Sequence, residues 1–164
     1  MRILGVDPGT QRTGVGLIDV KDGQQSIVHF EVIRLNPKQS IPQRLYRIFS
    51  RLSEVIQEFR PDIACLEDIF YALDVQAVVR IGEARACAIL AAAGHQIEVV
   101  QYAPTRVKQA ISGNGRASKV QVQNMVKHLL GLKEPPPSDA ADALAVAICH
   151  AHLGIKKWTA KVSV

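Results

Sequence analysis

Two short apolar runs each stop at a single acid. Arg2–Val6 runs into Asp7, and Ile63–Leu66 runs into Glu67. Runs this short suit buried strands better than helices. Pro8-Gly9 follows Asp7 and ends the first strand with a turn signal. In open α/β sheets, sites form beyond the carboxyl ends of the strands. The pattern therefore constrains the fold and marks two acids at once.

The remaining segments say what surrounds those strands. Gly14–Val20 alternates as a second strand, Asp22-Gly23 reads as a hairpin turn, and Ile27–Leu35 reads as a third strand. The chain thus begins as an antiparallel meander. Pro42–Phe59 carries Leu45, Ile48, Phe49, Leu52, Val55, Ile56 and Phe59 at helical spacing, and Pro61 stops it. An Ala-rich helix is expected over Asp74–Ala93, ending at Gly94. Its small residues allow close packing on another helix or on a second subunit. Gln96–Tyr102 reads as a strand, Pro104–Ser112 and Ser118–Leu130 as helices, and Pro135-Pro136-Pro137 as an extended break. Ser138 is placed as the cap of a last helix, Asp139–His152. The expected fold class is α/β: a mixed five-stranded sheet flanked by helices. One domain is expected over 1–153, with a basic, frayed tail over 154–164.

Composition sets limits. At 48% hydrophobic and 21% charged, the 164 residues can bury a real core, and 5% aromatics makes that core aliphatic. The N-terminus lacks a signal-peptide pattern, and the apolar run at Ala86–Ala93 is too short to span a bilayer. A cytoplasmic protein with no membrane partner is expected. Cys65, Cys87 and Cys149 read as buried reduced thiols. The net charge is +5 and unevenly spread. Gln101–Lys133 holds six basic residues and no acid, and the tail adds Lys156, Lys157 and Lys161; the rest has 11 basic against 15 acidic residues. An acidic body with a basic flank suits a binder of phosphate backbone that holds a cation at its centre.

Asp139 and Asp142 fall in the first turn of the last helix at i and i+3, so they share a face. Taken alone, the pair reads equally well as dipole-complementing aspartates. If all four acids converge, they need a cation. Hard oxygen ligands select Mg²⁺ or Mn²⁺, and two such ions about 3.5–4 Å apart would bracket a scissile phosphate. Lys108 and Lys119 flank Gly113-Asn114-Gly115, which lets backbone approach phosphate. Phe70, three residues after Glu67, is a candidate to stack on an unpaired base, although a core role is the commoner one. With Arg80 and Arg116 these residues form the expected DNA-contact set. Cys149, His150 and His152 belong to one ordinary helix, with His150 a possible neighbour of the acids, two turns after Asp142.

LGVDPGTQRTGVGLI, LEDIF, IGEARACAILAAAG, YAPTRVKQAISGNGRASKVQVQNMV and SDAADALAVAICHAH together resemble the RuvC family of Holliday junction resolvases. The resemblance implies an RNase H-like fold and a homodimer that nicks two opposed strands of a four-way junction during recombination and repair. It implies Mg²⁺, two ions per site, replaceable by Mn²⁺, a 5′-phosphate product and partnership with RuvA–RuvB. It maps the metal-binding catalytic acids onto Asp7, Glu67, Asp139 and Asp142, the functional lysines onto Lys108 and Lys119, and the junction-disrupting aromatic onto Phe70. The chain departs from the family at Leu73-Asp74-Val75-Gln76 and at Glu83, where added acids weaken phosphate contact unless Arg80 or Arg85 offsets them. Three rivals stand beside this reading. VDPGTQRTGVGLI also resembles the phosphate loop of actin- and sugar-kinase-type ATPases, which need two such domains. A non-catalytic junction-binding module and a nuclease for RNA–DNA hybrids or for RNA are the others.

Overall fold

The computed structural model describes residues 1–68 and 75–154. Five strands form one sheet: β1 (Arg2–Asp7), β2 (Arg12–Lys21), β3 (Gln24–Arg34), β4 (Ile63–Glu67) and β5 (Glu98–Tyr102). Their order is β3-β2-β1-β4-β5. β1 to β3 pair antiparallel, whereas β4 runs parallel to both β1 and β5, so the sheet is mixed as expected. Asp22 and Gly23 both take positive φ, which matches the twist of a tight hairpin. Among the described residues there are five helices, interleaved with the last two strands: α1 (Ile41–Phe59), α2 (Val75–Gly94), α3 (Pro104–Ser112), α4 (Lys119–Leu129) and α5 (Ser138–Leu153).

Strand periodicity splits the core into two layers. Leu4, Val6, Val15, Leu17, Ala64 and Leu66 pack on one face against α1 and α2. Ile3, Ile18, Ile63 and Cys65 face the other way, toward α3, α4 and α5. α5 is buried at every residue from Ala140 to Ala151 except Asp142. It lies directly on β1 and β2 because three glycines make room. A Cβ on Gly14 would sit 1.9 Å from the Asp139 carbonyl oxygen, one on Gly5 2.0 Å from the Ala143 carbonyl oxygen, and one on Gly16 2.7 Å from the Leu144 side chain. Gly5 pairs with Gly16 across the two strands, and Asp7 pairs with Gly14. The helix start is thereby held beside the end of β1.

The element boundaries differ from expectation in small ways with clear causes. α1 stops at Arg60, which takes a left-handed φ of 48° and returns its N–H to the Ile56 carbonyl, before Pro61 is reached. Gly94 stays helical, and the left-handed residue after α2 is Gln96. Ser138 is the first residue of α5 and not its cap; the cap position is Pro137, with no side-chain bond. Cys65 and Cys149 are buried as expected, but Cys87 is only half-buried. Among the described residues, no helix is long and apolar enough to cross a membrane.

Candidate active site

Two acids reach the same edge because of period-2 parity. Ile3, Gly5 and Asp7 alternate onto the α5 face, as do Ile63, Cys65 and Glu67. β1 and β4 are parallel with Val6 opposite Leu66, so Asp7 and Glu67 end neighbouring strands at one edge. α5 then brings Asp139 and Asp142 over that edge from its first turns.

Electrostatics registers the convergence. Burial pushes the Asp7 carboxyl up to about 7, and the negative charges of Asp142, Glu67 and Asp139 add to the rise. Glu67 is also raised, by burial first and then by Asp142, with Lys108 and Lys119 opposing. Asp142 is raised by burial despite a Lys119 Nζ only 2.7 Å from its Oδ2. That same contact raises Lys119 and keeps it charged.

The two lysines of the acid-poor segment arrive from separate helices. Lys108 on α3 and Lys119 at the start of α4 line a cavity of about 280 Å³ with Glu67 and Asp142. Ser118 caps α4 by accepting from the Gln121 N–H, which fixes where Lys119 emerges. Arg80 is exposed on α2 and lines a second depression that reaches Asp139. Arg116 is exposed in the α3–α4 connection, its N–H bonded to Asn114 Oδ1 at 2.9 Å, and it lines neither cavity. Phe70, Leu73 and Asp74 lie outside the described residues.

Three expectations change. His150 does not join the acids: its Nδ1 sits 2.7 Å from the Tyr102 hydroxyl, and it lines a separate cavity with Ile63 and Val100. Arg85 cannot offset an added acid at the surface, because it is buried, donating to the Glu67 carbonyl, the Gln101 side chain and Asp68. It thereby ties the end of β4 to β5. Glu83 is not simply displayed to solvent either, since its Oε2 is shielded. Sequence reasoning missed Arg85 as a support for Glu67. Its only sequence signal was an arginine on an Ala-rich helical face.

The donor chemistry fits a hard divalent cation. The cluster offers carboxylate oxygens and no thiolate or imidazole, and Asp7 already shows the cost of gathering like charges. Among the described residues, the side chains as they stand form no ready three-ligand cage. Lys119 occupies Asp142, and Arg12 stands 3.9 Å from Asp139. Asp7, Glu67, Asp139 and Asp142 are the residues able to hold such an ion.

Metal-free stability should carry the mark of this crowding. Asp7 binds its proton more tightly when folded than when unfolded, so its contribution is greatest at low pH. That contribution falls as pH rises from about 4 to about 7, then stays level. Asp7 alone accounts for a loss on the order of 4 kcal/mol, at about 1.4 kcal/mol per tenfold change in proton affinity. Thermal melts in chelator at pH 5 and pH 8 should therefore differ more for the wild type than for Asp7→Asn. Equal pH dependence in the two proteins would mean that Asp7 is not under strain.

Comparison with known proteins decides the lineage. The family model described as "Crossover junction endodeoxyribonuclease RuvC" matches residues 3–150. The chain belongs to the RuvC family. It is 44% identical over 155 residues to the RuvC of Alkaliphilus metalliredigens, covering 94% of each chain. It is 47% identical over 151 residues to that of Dehalococcoides mccartyi, covering 92% of each. Thermus thermophilus RuvC, solved in complex with a Holliday junction substrate, superimposes with a TM-score of 0.90 at 36% identity over 96% of both chains. The fold is RNase H-like, as the resemblance implied, and the family assignment makes the chain an endodeoxyribonuclease of the divalent-metal-dependent kind.

Proposed function

We propose that this protein resolves four-way DNA junctions by metal-dependent hydrolysis, with Asp7, Glu67, Asp139 and Asp142 as the catalytic acids. The observation that carries the reading is the gathering of Glu67, Asp139 and Asp142 around Asp7, whose charges add to the rise that burial causes and that brings its carboxyl to about 7. The RuvC family match and the junction-bound Thermus thermophilus relative support the substrate. The metal is Mg²⁺, two ions per site, with Mn²⁺ able to replace it. When bound, such ions supply positive charge against the phosphate and favour ionised water at neutral pH.

The chain's own residues do the rest. The four acids would hold the ions from three elements, two strand ends and the start of α5. Lys108 and Lys119, beside Glu67 and Asp142, offset charge that builds on the phosphate oxygens as water adds to phosphorus. The bond from phosphorus to the 3′-oxygen breaks, that oxygen takes up a proton, and a 5′-phosphate remains. Phe70 stacks on a base at the crossover, and Arg80 and Arg116 hold backbone at the rim. A homodimer presents two such sites to opposed strands, and RuvA–RuvB delivers the junction. The RuvC family match over residues 3–150 weighs against the ATPase alternative.

Incubation with a synthetic four-way junction, a linear duplex and an RNA–DNA hybrid tests this, with Mg²⁺ and again in chelator. Paired nicks in opposed junction strands are expected, only with metal. Equal cutting of linear duplex would sink the junction claim, and cutting of the hybrid alone would favour the third rival. Lys119→Ala should slow cleavage about tenfold or more and lower the salt slope of junction binding by about one. A slope identical to the wild type's would remove Lys119 from the DNA-contact set.

A further inference from the structure

Asp139 borders two depressions, and the proposed chemistry uses only the side lined by Lys108 and Lys119. The other is a groove of about 710 Å³ at the α1–α2 side of the sheet edge. Three guanidiniums from three elements line it: Arg12 from the start of β2, Arg44 from α1 and Arg80 from α2. Asp139 is the one acid among its described lining residues. Arg44 and Arg80 form no ion pair among the described residues, and the Arg12 contact to Asp139 is long, at 3.9 Å, with the Arg12 side chain 61% exposed.

The groove is built, not a patch of solvated lysines. Arg44 Nη1 donates to the Thr10 carbonyl at 2.9 Å and so clamps the β1–β2 turn, while its Nε is shielded without a partner among the described residues. Within that turn the buried Thr13 hydroxyl donates to the Gly9 carbonyl at 2.9 Å. A Cβ on Gly9 would meet the Arg12 carbonyl at 2.5 Å, so the tight path needs glycine. The backbone that carries Arg12 is thus set in place before any ligand arrives. Guanidinium matches phosphate as a planar fork and is weakly hydrated, which makes three arginines a phosphate site more than a solubility device.

If Asp139 is committed to a metal, it no longer balances these charges, and an outside anion must. The anion already at Asp139 is the strand being cut. We propose that Arg12, Arg44 and Arg80 bind the phosphodiester next to the scissile one on that strand. The groove then sets which phosphate reaches the acids. This rests on the nuclease reading of Asp139.

Junction binding in chelator tests it, using Arg12→Gln and Arg80→Gln, because both side chains are exposed and their loss spares the Arg44 clamp. Each variant should bind about tenfold more weakly and lower the salt slope by about one. A junction carrying one methylphosphonate beside the cut, scanned on both sides, should weaken the wild type about tenfold at one position. The double variant should show little further loss at that position. Wild-type affinity and slope in both variants would overturn the proposal, as would equal loss in wild type and double variant at every neutralised phosphate. A wild type that binds no junction at all would instead defeat the resolvase reading, and the groove assignment with it.

Discussion

Asp7→Asn should all but abolish junction cleavage, by about a hundredfold to a thousandfold, while leaving junction binding near the wild-type level. The magnitude follows the scale for losing a preorganised charge-stabilising group at a reacting phosphate or carbonyl. The change keeps size and shape and removes only the charge. Asp7 sits where all three other acids are felt, so its loss empties the centre of the cluster, not its rim. Binding should survive because the bases proposed to hold phosphate, Lys108, Lys119 and Arg80, lie on other elements. Gel-shift and single-turnover cleavage on one junction measure both quantities. A variant that no longer binds would make Asp7 a structural residue. A variant that still cuts would remove it from the chemistry.

The second large effect comes from a residue with no side chain. Gly14→Ala places a Cβ 1.9 Å from the Asp139 carbonyl oxygen and 2.4 Å from its carbon. Both are backbone atoms at the start of a helix whose next turns are largely buried, so nothing can swing away. Either β2 or the start of α5 must move, and Asp139 and Asp142 move with the helix. Overpacking of this kind costs about 3 kcal/mol or more, and small displacements of a catalytic group cost about a hundredfold in rate. Thermal melting should fall by several degrees, and cleavage should drop in any protein that remains folded. Gly23→Ala is the matched control. Nothing lies within 4 Å of its new Cβ, and its positive φ costs only about 1–2 kcal/mol, far from the acids. Wild-type activity in folded Gly14→Ala would show that the helix seat does not position the site.

These two residues also show what could be read in the chain beforehand. Asp7 and Glu67 stood out because each closed an apolar run, and strand ends are where sites form. Parity, the reason both point to the α5 face, was already present in Ile3-Gly5-Asp7 and Ile63-Cys65-Glu67. It carried no meaning until the sheet had two known faces. Gly14 and Gly16 read as ordinary members of a strand, because a close approach by a helix from more than a hundred residues away leaves no local trace. Asp139 and Asp142 stayed ambiguous for the same reason: a helix N-terminus welcomes acids whether or not a partner strand waits there. Arg85 was misplaced at the surface because helix periodicity is blurred when most neighbours are alanine. Chain order and element type were legible; the long-range seating that turns four acids into one cluster was not.

A Mn²⁺ titration in the presence of junction DNA reaches that cluster most directly. Wild type should be compared with Asp7→Asn, Glu67→Gln, Asp139→Asn and Asp142→Asn. If the four acids share one site, the wild type binds two ions, and every single substitution weakens or removes binding. An acid whose loss leaves the titration unchanged would stand outside the site, and four unchanged titrations would contradict the carboxylate centre altogether.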